Sequence, residues 1–202
     1  MGSRLKVVQI AGFLGSGKTT TIVALSRMIA SRGKRVAVIV NEIGDVPVDA
    51  KVVSEYGLKV RDIGGGCICC ELLVSLAYTL EELARSYSPD YVLIEPSGVS
   101  IPSSVKDGIG LVKGLNLEKG PVIVLFDGER GHENLLDENL GKFIKRQILG
   151  ADVVAINKID AIQDGAARYQ EELIRAVNPN AKILRISAKN GVGLEELVSL
   201  IA

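Results

Sequence analysis

Residues 7–21 read VVQIAGFLGSGKTTT, an apolar run of strand length followed by a glycine-rich turn and a segment with helical spacing. Gly12, Gly17, Lys18 and Thr19 fit the spacing G-x-x-x-x-G-K-[ST], the pattern of a phosphate-binding loop. Such a loop points successive backbone N–H groups at a polyphosphate, which requires conformations that glycine reaches at low cost. The following helix directs its positive N-terminus at the same phosphates. We define residues 12–19 as the phosphate loop.

Two side chains of the phosphate loop carry specific roles in this prediction. Lys18 is expected to contact the β- and γ-phosphates, and the Thr19 hydroxyl is expected to ligate Mg²⁺. A chance glycine-rich turn is the alternative, but the predicted strand before it and helix after it favour nucleotide binding. Further nucleotide contacts are expected from the neighbouring positions Gly15, Ser16, Gly17 and Thr20.

The overall charge and hydropathy exclude several classes of protein. The 202 residues include 24 basic and 24 acidic side chains, and no basic stripe or polybasic run gives support for nucleic-acid binding. The longest apolar runs are far shorter than the ~20 residues that span a bilayer. Residues 1–6 lack the apolar core of a signal peptide. We therefore expect a cytoplasmic protein with neither nucleic acid nor membrane as a partner.

Apolar runs of strand length alternate with segments of helical spacing, which predicts a parallel sheet covered by helices. Beyond the first strand, strands are predicted at 36–40, 91–94, 122–126, 153–156 and 183–186, with a short edge strand at 59–63. Helices are predicted at 22–30, 71–87, 133–149, 166–177 and 194–201. The fold prediction is α/β, a P-loop NTPase with a doubly wound, mostly parallel sheet and helices on both faces, forming a single domain over residues 1–202.

Residues 157–160 read NKID and fit N-K-x-D, the element with which GTPases read guanine. The Asp160 carboxylate can accept hydrogen bonds from guanine N1–H and N2–H₂, whereas adenine offers neither donor at those positions. ATP would leave a buried carboxylate unpaired, and each charge-assisted hydrogen bond contributes about 1.5–3 kcal/mol. An ordinary polar loop after a strand is the alternative. We predict nucleotide contacts from Asn157, Lys158 and Asp160.

A second segment supports guanine as the base. Ser187, Ala188 and Lys189 follow another predicted strand and resemble the second base-contacting loop of GTPases. The two segments occur in this order after a phosphate loop, and that conjunction predicts GTP and GDP as the nucleotides.

Residues 95–98 read EPSG and stand where many GTPases carry D-x-x-G. Glu95 can hold Mg²⁺ directly or through water, and the Gly98 N–H can meet the γ-phosphate, so this segment can report hydrolysis. A tight turn after a strand is the alternative. Lys18, Glu95 and Gly98 are thus the candidate catalytic residues. No glutamine stands beside Gly98 to orient a water molecule, so we expect slow intrinsic hydrolysis.

Residues 67–70 read CICC and contain all three cysteines of the chain. A Cys69–Cys70 disulfide would be strained, because adjacent Cα atoms lie only about 3.8 Å apart. Three neighbouring thiolates repel one another, and a soft cation relieves that repulsion. We predict a transition-metal site at Cys67, Cys69 and Cys70, with Zn²⁺ as the default and Cu(I), Co²⁺ or Ni²⁺ as alternatives. Small buried apolar packing is the other interpretation.

A further ligand of this metal site is left open between Glu42, His132, water and a second subunit. His132 is the single histidine of the chain and lies in a polar stretch. A surface or helix-start role is favoured for His132 over a ligand role.

With these residues in place, the chain resembles the metallochaperone-type GTPases that include CobW, HypB and UreG, and it is most similar to the CobW-like branch. The resemblance rests on GFLGSGKTT at 12–20, NEIG at 41–44, GCICC at 66–70, EPSG at 95–98 and NKID at 157–160. It implies Mg²⁺-dependent GTP hydrolysis coupled to handling a transition metal for a client metalloprotein or metal-dependent enzyme, often with nucleotide-dependent homodimers. It also implies metal binding by the three cysteines with Glu42 nearby.

The sequence departs from that branch in two respects. Pro96 stands where the branch usually has threonine or serine, and these 202 residues contain neither the usual C-terminal domain nor its frequent histidine-rich stretch. A competing hypothesis is a GTP-switched interaction protein whose cysteine loop is structural or redox-responsive. A small-molecule kinase is a third hypothesis, against which the guanine-reading element at 157–160 argues.

Overall fold

A computed structural model describes residues 4–40, 59–62, 71–98, 100–102, 109–110, 112 and 114–201, with backbone alone at 59–62 and 71–74. The strands are β1 (Leu5–Gly12), β2 (Val36–Val40), β3 (Lys59–Asp62), β4 (Tyr91–Glu95), β5 (Leu117–Asp127), β6 (Val153–Asn157) and β7 (Lys182–Arg185). The helices are α1 (Lys18–Ser31), α2 (Glu71–Ser86), α3 (Gly131–Leu136), α4 (Leu140–Leu149), α5 (Asp164–Val177) and α6 (Leu194–Ile201).

The described strands form one seven-stranded sheet in the order β3-β2-β4-β1-β5-β6-β7, and each neighbouring pair is parallel. This confirms the predicted parallel sheet, and β3 lies at its edge as expected. The carboxyl ends of β1, β4, β5 and β6 lie side by side at the centre, which is where ligands bind in sheets of this kind.

Helices cover both faces of the sheet, as the doubly wound fold requires. One face packs against α1 and α6, with Ile22, Leu25 and Leu197 buried over the central strands. The opposite face is covered by α2 over β2 and β4, and by α3, α4 and α5 over β5 and β6. Strands buried on both faces read as continuous apolar runs, which explains why the sequence predicts most of them well. Within the described ranges, no helix combines the length and the apolar character needed to span a membrane.

Strand β5 begins at Leu117, earlier than the predicted start at Val122. Gly120 and Pro121 interrupt its apolar run, and proline cannot donate to a sheet ladder. The pairing of β5 with β1 shifts register between Val7 and Gln9. The strand therefore continues through an irregularity that the apolar pattern alone does not reveal.

The single helix predicted at 133–149 is wrong, because the chain forms α3 and α4 with a break at residues 137–139. The Asp137 carboxylate accepts hydrogen bonds from the backbone N–H groups of Asn139 and Leu140, at 2.9 and 2.8 Å. Its side chain thus provides the backbone with partners outside the helix ladder. These two bonds also hold the pKa of Asp137 below its usual value.

The break brings the start of α4 against the end of α3. A Cβ atom on Gly141 would overlap the backbone carbonyl oxygen of Leu135. Gly141→Ala should therefore force the two helices apart and lower the free energy of unfolding by about 1–3 kcal/mol. Gly165→Ala is the matched control in α5, because a Cβ there meets no atom within 4 Å. We expect Gly165→Ala to be neutral or stabilising by up to ~1 kcal/mol. Urea unfolding measures both variants, and equal stability for the two would contradict this close helix packing.

Candidate functional site

The phosphate loop runs from the end of β1 to the start of α1 and is tightly packed. Gly12 has φ +147°, and a Cβ atom there would lie 2.6 Å from both the Leu125 carbonyl oxygen and Ser16 Oγ. Gly17 has φ +90° and caps α1, and a Cβ there would collide with the Asn157 side chain. Two glycines of the motif are thus required by both backbone conformation and space. Lys18 begins α1 and is only 9% exposed.

The side chain of Asn157, at the end of β6, joins the phosphate loop to the loop after β7. Its Nδ2 donates a hydrogen bond to the Ser16 carbonyl at 2.9 Å, and its Oδ1 accepts from the Ala188 N–H at 3.0 Å. Asn157 is 3% exposed, so both bonds form away from water, where an unmade bond is costly. The asparagine of the N-K-x-D element therefore fixes the relative position of two loops predicted to contact nucleotide.

A cavity of about 300 Å³ opens beside this junction, on the side of the phosphate loop away from β4. Eight of the ten lining residues belong to the predicted nucleotide set, and Ala161 directly adjoins it. The lining consists of Gly17, Thr20, Glu129, Asn157, Lys158, Asp160, Ala161, Ser187, Ala188 and Lys189. The structure thus brings the phosphate loop together with both predicted base-contacting segments.

The Asp160 side chain lies at this cavity and is exposed in the free protein. The carboxylate would lose its water only when a base covers it, and the specificity argument applies to that complex. A hydrogen bond from Ser187 and the nearby charge of Lys189 hold the pKa of Asp160 below its usual value. Asp160 is therefore ionised at neutral pH and able to accept two N–H donors.

Lys158 is held by two acidic side chains that the sequence analysis did not select. Its Nζ lies 2.9 Å from Asp127 Oδ2 and 3.2 Å from Glu129 Oε2. Partial burial acts to lower the pKa of Lys158, but the bonds and charges of these two carboxylates outweigh it and the pKa is raised. The backbone of Lys158 lies in the left-handed region at φ +65°, which is uncommon for residues other than glycine and asparagine. Asp127 directly follows an apolar strand run, at the sheet edge where ligands bind. That position could have identified it as a candidate site residue.

On the other side of the phosphate loop, the structure brings together the two predicted Mg²⁺ ligands. Thr19 Oγ1 donates to the Glu95 carboxylate, with distances of 2.9 and 3.2 Å to its two oxygens. Hydroxyl and carboxylate oxygens are the hard ligands that Mg²⁺ prefers, so this pair fits the ion.

The turn after β4 lies against the phosphate loop. A Cβ atom on Gly98 would lie 2.6 Å from Leu14 Cδ2 and 3.1 Å from the Leu14 nitrogen. Within the turn, Ser97 Oγ and Ser100 Oγ are 2.8 Å apart and buried. Gly98 is thus beside the phosphate loop, as the comparison with D-x-x-G predicts.

The predicted transition-metal ligands Cys67, Cys69, Cys70 and Glu42 lie outside the described residues. Within the described ranges, no group of three or more His, Cys, Asp or Glu side chains is arranged to hold a metal ion. His132 lies in the first turn of α3, and its ring contacts Tyr169 edge-on at 6.5 Å. This position agrees with the helix-start role favoured for His132.

The two bonds of Asn157 lead to a prediction about stability. Asn157→Ala leaves the Ser16 carbonyl and the Ala188 N–H without this partner, and each unsatisfied buried group costs about 1–3 kcal/mol. We expect the free energy of unfolding to fall by about 2–4 kcal/mol in urea titrations. Asn190→Ala is the control, because its backbone N–H, not its side chain, bonds Ser187. That variant should stay within about 0.5 kcal/mol of the parent. A similarly small effect of Asn157→Ala would show that the two loops hold their positions independently.

Comparisons with known proteins bear on this site. The zinc-regulated GTPase metalloprotein activator 1 of Dictyostelium discoideum is 27% identical over 232 aligned residues, which cover 97% of this chain and 48% of that protein. The zinc chaperone YeiR of Escherichia coli (strain K12) is 33% identical over 161 residues, covering 75% of this chain and 45% of YeiR. The chain thus spans about half the length of these two relatives.

A solved structure gives the third comparison. The hydrogenase maturation factor HypB from Archaeoglobus fulgidus superposes with a TM-score of 0.69 and 20% identity, covering 98% of this chain and 88% of HypB. At that identity the likeness supports the fold alone, which is that of a P-loop NTPase. A family model described as "CobW/HypB/UreG, nucleotide-binding domain" matches residues 6–185. Because this match covers most of the chain, the protein belongs to the CobW/HypB/UreG family of nucleotide-binding domains.

Proposed function

We propose that this protein binds GTP in the cleft at the carboxyl edge of its sheet, hydrolyses it to GDP and phosphate, and couples that cycle to binding and delivering a transition metal. The observation that carries the nucleotide assignment is the cavity lined by both Asp160 and the phosphate loop, with Asn157 bonded to the phosphate loop beside it. An ionised carboxylate at a base-sized cavity beside a phosphate loop is suited to guanine and poorly suited to adenine.

The proposed chemistry depends mainly on positioning and charge, as is usual for phosphoryl transfer. Lys18 and the N-terminus of α1 would bind the β- and γ-phosphates, and the Gly98 N–H would donate to the γ-phosphate. Thr19 and Glu95 would hold Mg²⁺, which when bound offsets negative charge on the phosphate oxygens. The chain carries no glutamine beside Gly98, so intrinsic hydrolysis should be slow.

The metal half of the proposal rests on the cysteine segment at 67–70 and on the names of the relatives. Two of them are described as zinc-regulated or as a zinc chaperone, so Zn²⁺ is the proposed cargo, with a client metalloprotein as recipient. Thiolates are suitable zinc ligands, and Glu42 is the proposed oxygen ligand. A homodimer formed in one nucleotide state would be compatible with this cycle.

Nucleotide specificity is the first test of this function. GTP and GDP should bind at least ~100-fold more tightly than ATP and ADP, since the wrong base leaves the Asp160 carboxylate unpaired. Asp160→Asn should remove most of that preference and shift it towards xanthine nucleotides. Competition against a fluorescent GDP analogue measures all the affinities.

The matched control is Asp164→Asn, which changes an exposed carboxylate paired with Arg168 and Arg185 outside the cavity. It should leave the guanine preference unchanged. Equal affinity of the parent protein for GTP and ATP would refute the proposed nucleotide.

Metal coupling is the second test. If contacts with the γ-phosphate also move Glu42 relative to the thiolates, Zn²⁺ affinity differs between the GTP and GDP states, and Zn²⁺ alters GTP affinity by the same factor. We expect a difference of roughly 5- to 150-fold, the usual range for such coupling. Anaerobic Zn²⁺ titration with GDP and with a non-hydrolysable GTP analogue measures it.

The control for this titration replaces Cys67, Cys69 and Cys70 together by serine, which should abolish tight Zn²⁺ binding. Equal Zn²⁺ affinity in both nucleotide states would refute the coupling. Unchanged binding in the serine variant would remove the metal site and favour a GTP-switched interaction protein.

A further inference from the structure

Two buried glutamines connect helices to loops at the carboxyl edge of the sheet. Gln147 Nε2, on α4, donates to the carbonyl oxygens of Gly98 and Ser100 at 3.2 and 3.0 Å. Gln170 Nε2, on α5, donates to the Gly128 carbonyl at 2.6 Å. Each glutamine is 1% exposed. Neither residue belongs to a nucleotide-binding motif, yet each fixes a loop next to the candidate site.

The glutamine at position 147 carries a free-energy penalty that its contribution to packing does not explain. Its Oε1 atom is buried and has no hydrogen-bond partner among the described residues, and a buried polar atom without a partner is destabilising. A methionine or leucine would fill similar space without that penalty. The two donated bonds are therefore the interactions that distinguish glutamine from an apolar residue at this position.

Those two bonds hold the turn after β4 from α4, and Gln147 lines a small cavity together with Leu14 of the phosphate loop. Gly98 lies against Leu14 of the phosphate loop, and its carbonyl oxygen is bound by Gln147. The Ser100 N–H donates to the Ser97 carbonyl at 2.9 Å, so the second carbonyl that Gln147 binds belongs to the same turn. Glu95, which precedes the turn, is held by Thr19. The turn is thus fixed between α4 and the phosphate loop.

On the side of the cleft that holds the cavity, Gln170 holds the loop after β5 in the way that Gln147 holds the turn after β4. Its expected effect on nucleotide binding is different. Gly128 follows Asp127, whose carboxylate binds Lys158, and the Gly128 N–H donates to the Asn157 carbonyl at 2.8 Å. Gln170 therefore supports the loop beside the base cavity, which GTP and GDP would occupy alike. Of these two loops, the turn held by Gln147 is the one that includes Gly98 and lies beside the Thr19–Glu95 pair, where the proposed function places the γ-phosphate.

We infer that Gln147 is a positioning residue for the triphosphate state, holding the turn after β4 so that the Gly98 N–H meets the γ-phosphate. This inference rests on the proposed function. A turn fixed in advance does not have to be ordered when GTP binds, so the ordering cost is absent from GTP binding and from turnover. GDP lacks the γ-phosphate and gains nothing from this preorganisation.

The test compares Gln147→Met with Gln170→Met, two equivalent changes of buried glutamines. Gln147→Met should bind GDP within about threefold of the parent, but should lose roughly tenfold in affinity for a non-hydrolysable GTP analogue and in kcat for GTP, the scale of one or two net hydrogen bonds. Gln170→Met should weaken GDP and the analogue by the same factor. Urea unfolding of both variants records their stability separately from these ratios.

One outcome overturns the inference while leaving the proposed function intact. In a parent protein that binds and hydrolyses GTP, an unchanged ratio of GTP-analogue to GDP affinity in Gln147→Met would show a purely structural role. A parent that fails to prefer GTP would instead refute the proposed function.

A second measurement does not depend on the variant folding. In the parent protein, the side-chain amide hydrogens of Gln147 should already be protected from exchange with solvent in the GDP-bound state, because the turn is held before a γ-phosphate binds. Protection that appears only in the analogue-bound state would overturn the inference.

Discussion

The candidate site depends on one buried amide. Asn157 bonds the Ser16 carbonyl with its nitrogen and the Ala188 N–H with its oxygen, so the phosphate loop and the loop after β7 are each held by the same side chain. The glycine at position 17 is required partly because Asn157 occupies the space that a side chain would need. A residue of the N-K-x-D element thus has a structural role before any nucleotide binds. These two bonds strongly determine the relative position of the two loops, because water cannot replace them in the core.

Other segments that the structure describes at this edge are held in the same way, by single side chains from elements distant in sequence. Thr19 binds Glu95, Gln147 binds the turn after β4, and Gln170 binds the loop after β5. A parallel sheet brings these loops together, but it does not by itself fix their conformations. The polar side chains fix those conformations, and the cavity beside Asn157 remains open between the loops that they hold.

Local patterns in the sequence predicted the strands, most helices and the loops that meet at the cleft. They failed where a tertiary contact decided the outcome. Helical spacing continues through residues 137–139, but Asp137 binds the backbone there and Gly141 allows α4 to approach Leu135 closely. The motif identified Asp160 but gave no information on its solvation, and the side chain is exposed in the free protein. Gln147 could not be selected from sequence, since a polar residue within a helix ordinarily indicates a surface position. The cysteine site at 67–70 remains a prediction.

The long sequence separation within the Asn157 junction has a consequence for synthesis on the ribosome. Ser16 and Asn157 are 141 residues apart, and Ala188 follows Asn157 by a further 31. A nascent chain therefore displays its phosphate loop for roughly ten to thirty seconds of translation before the residues that complete the pocket have been made. Strand β1 is likewise synthesised before β4 and β5, its two neighbours in the sheet. Nucleotide can thus stabilise the finished sheet by mass action, but it cannot guide the early stages of its folding.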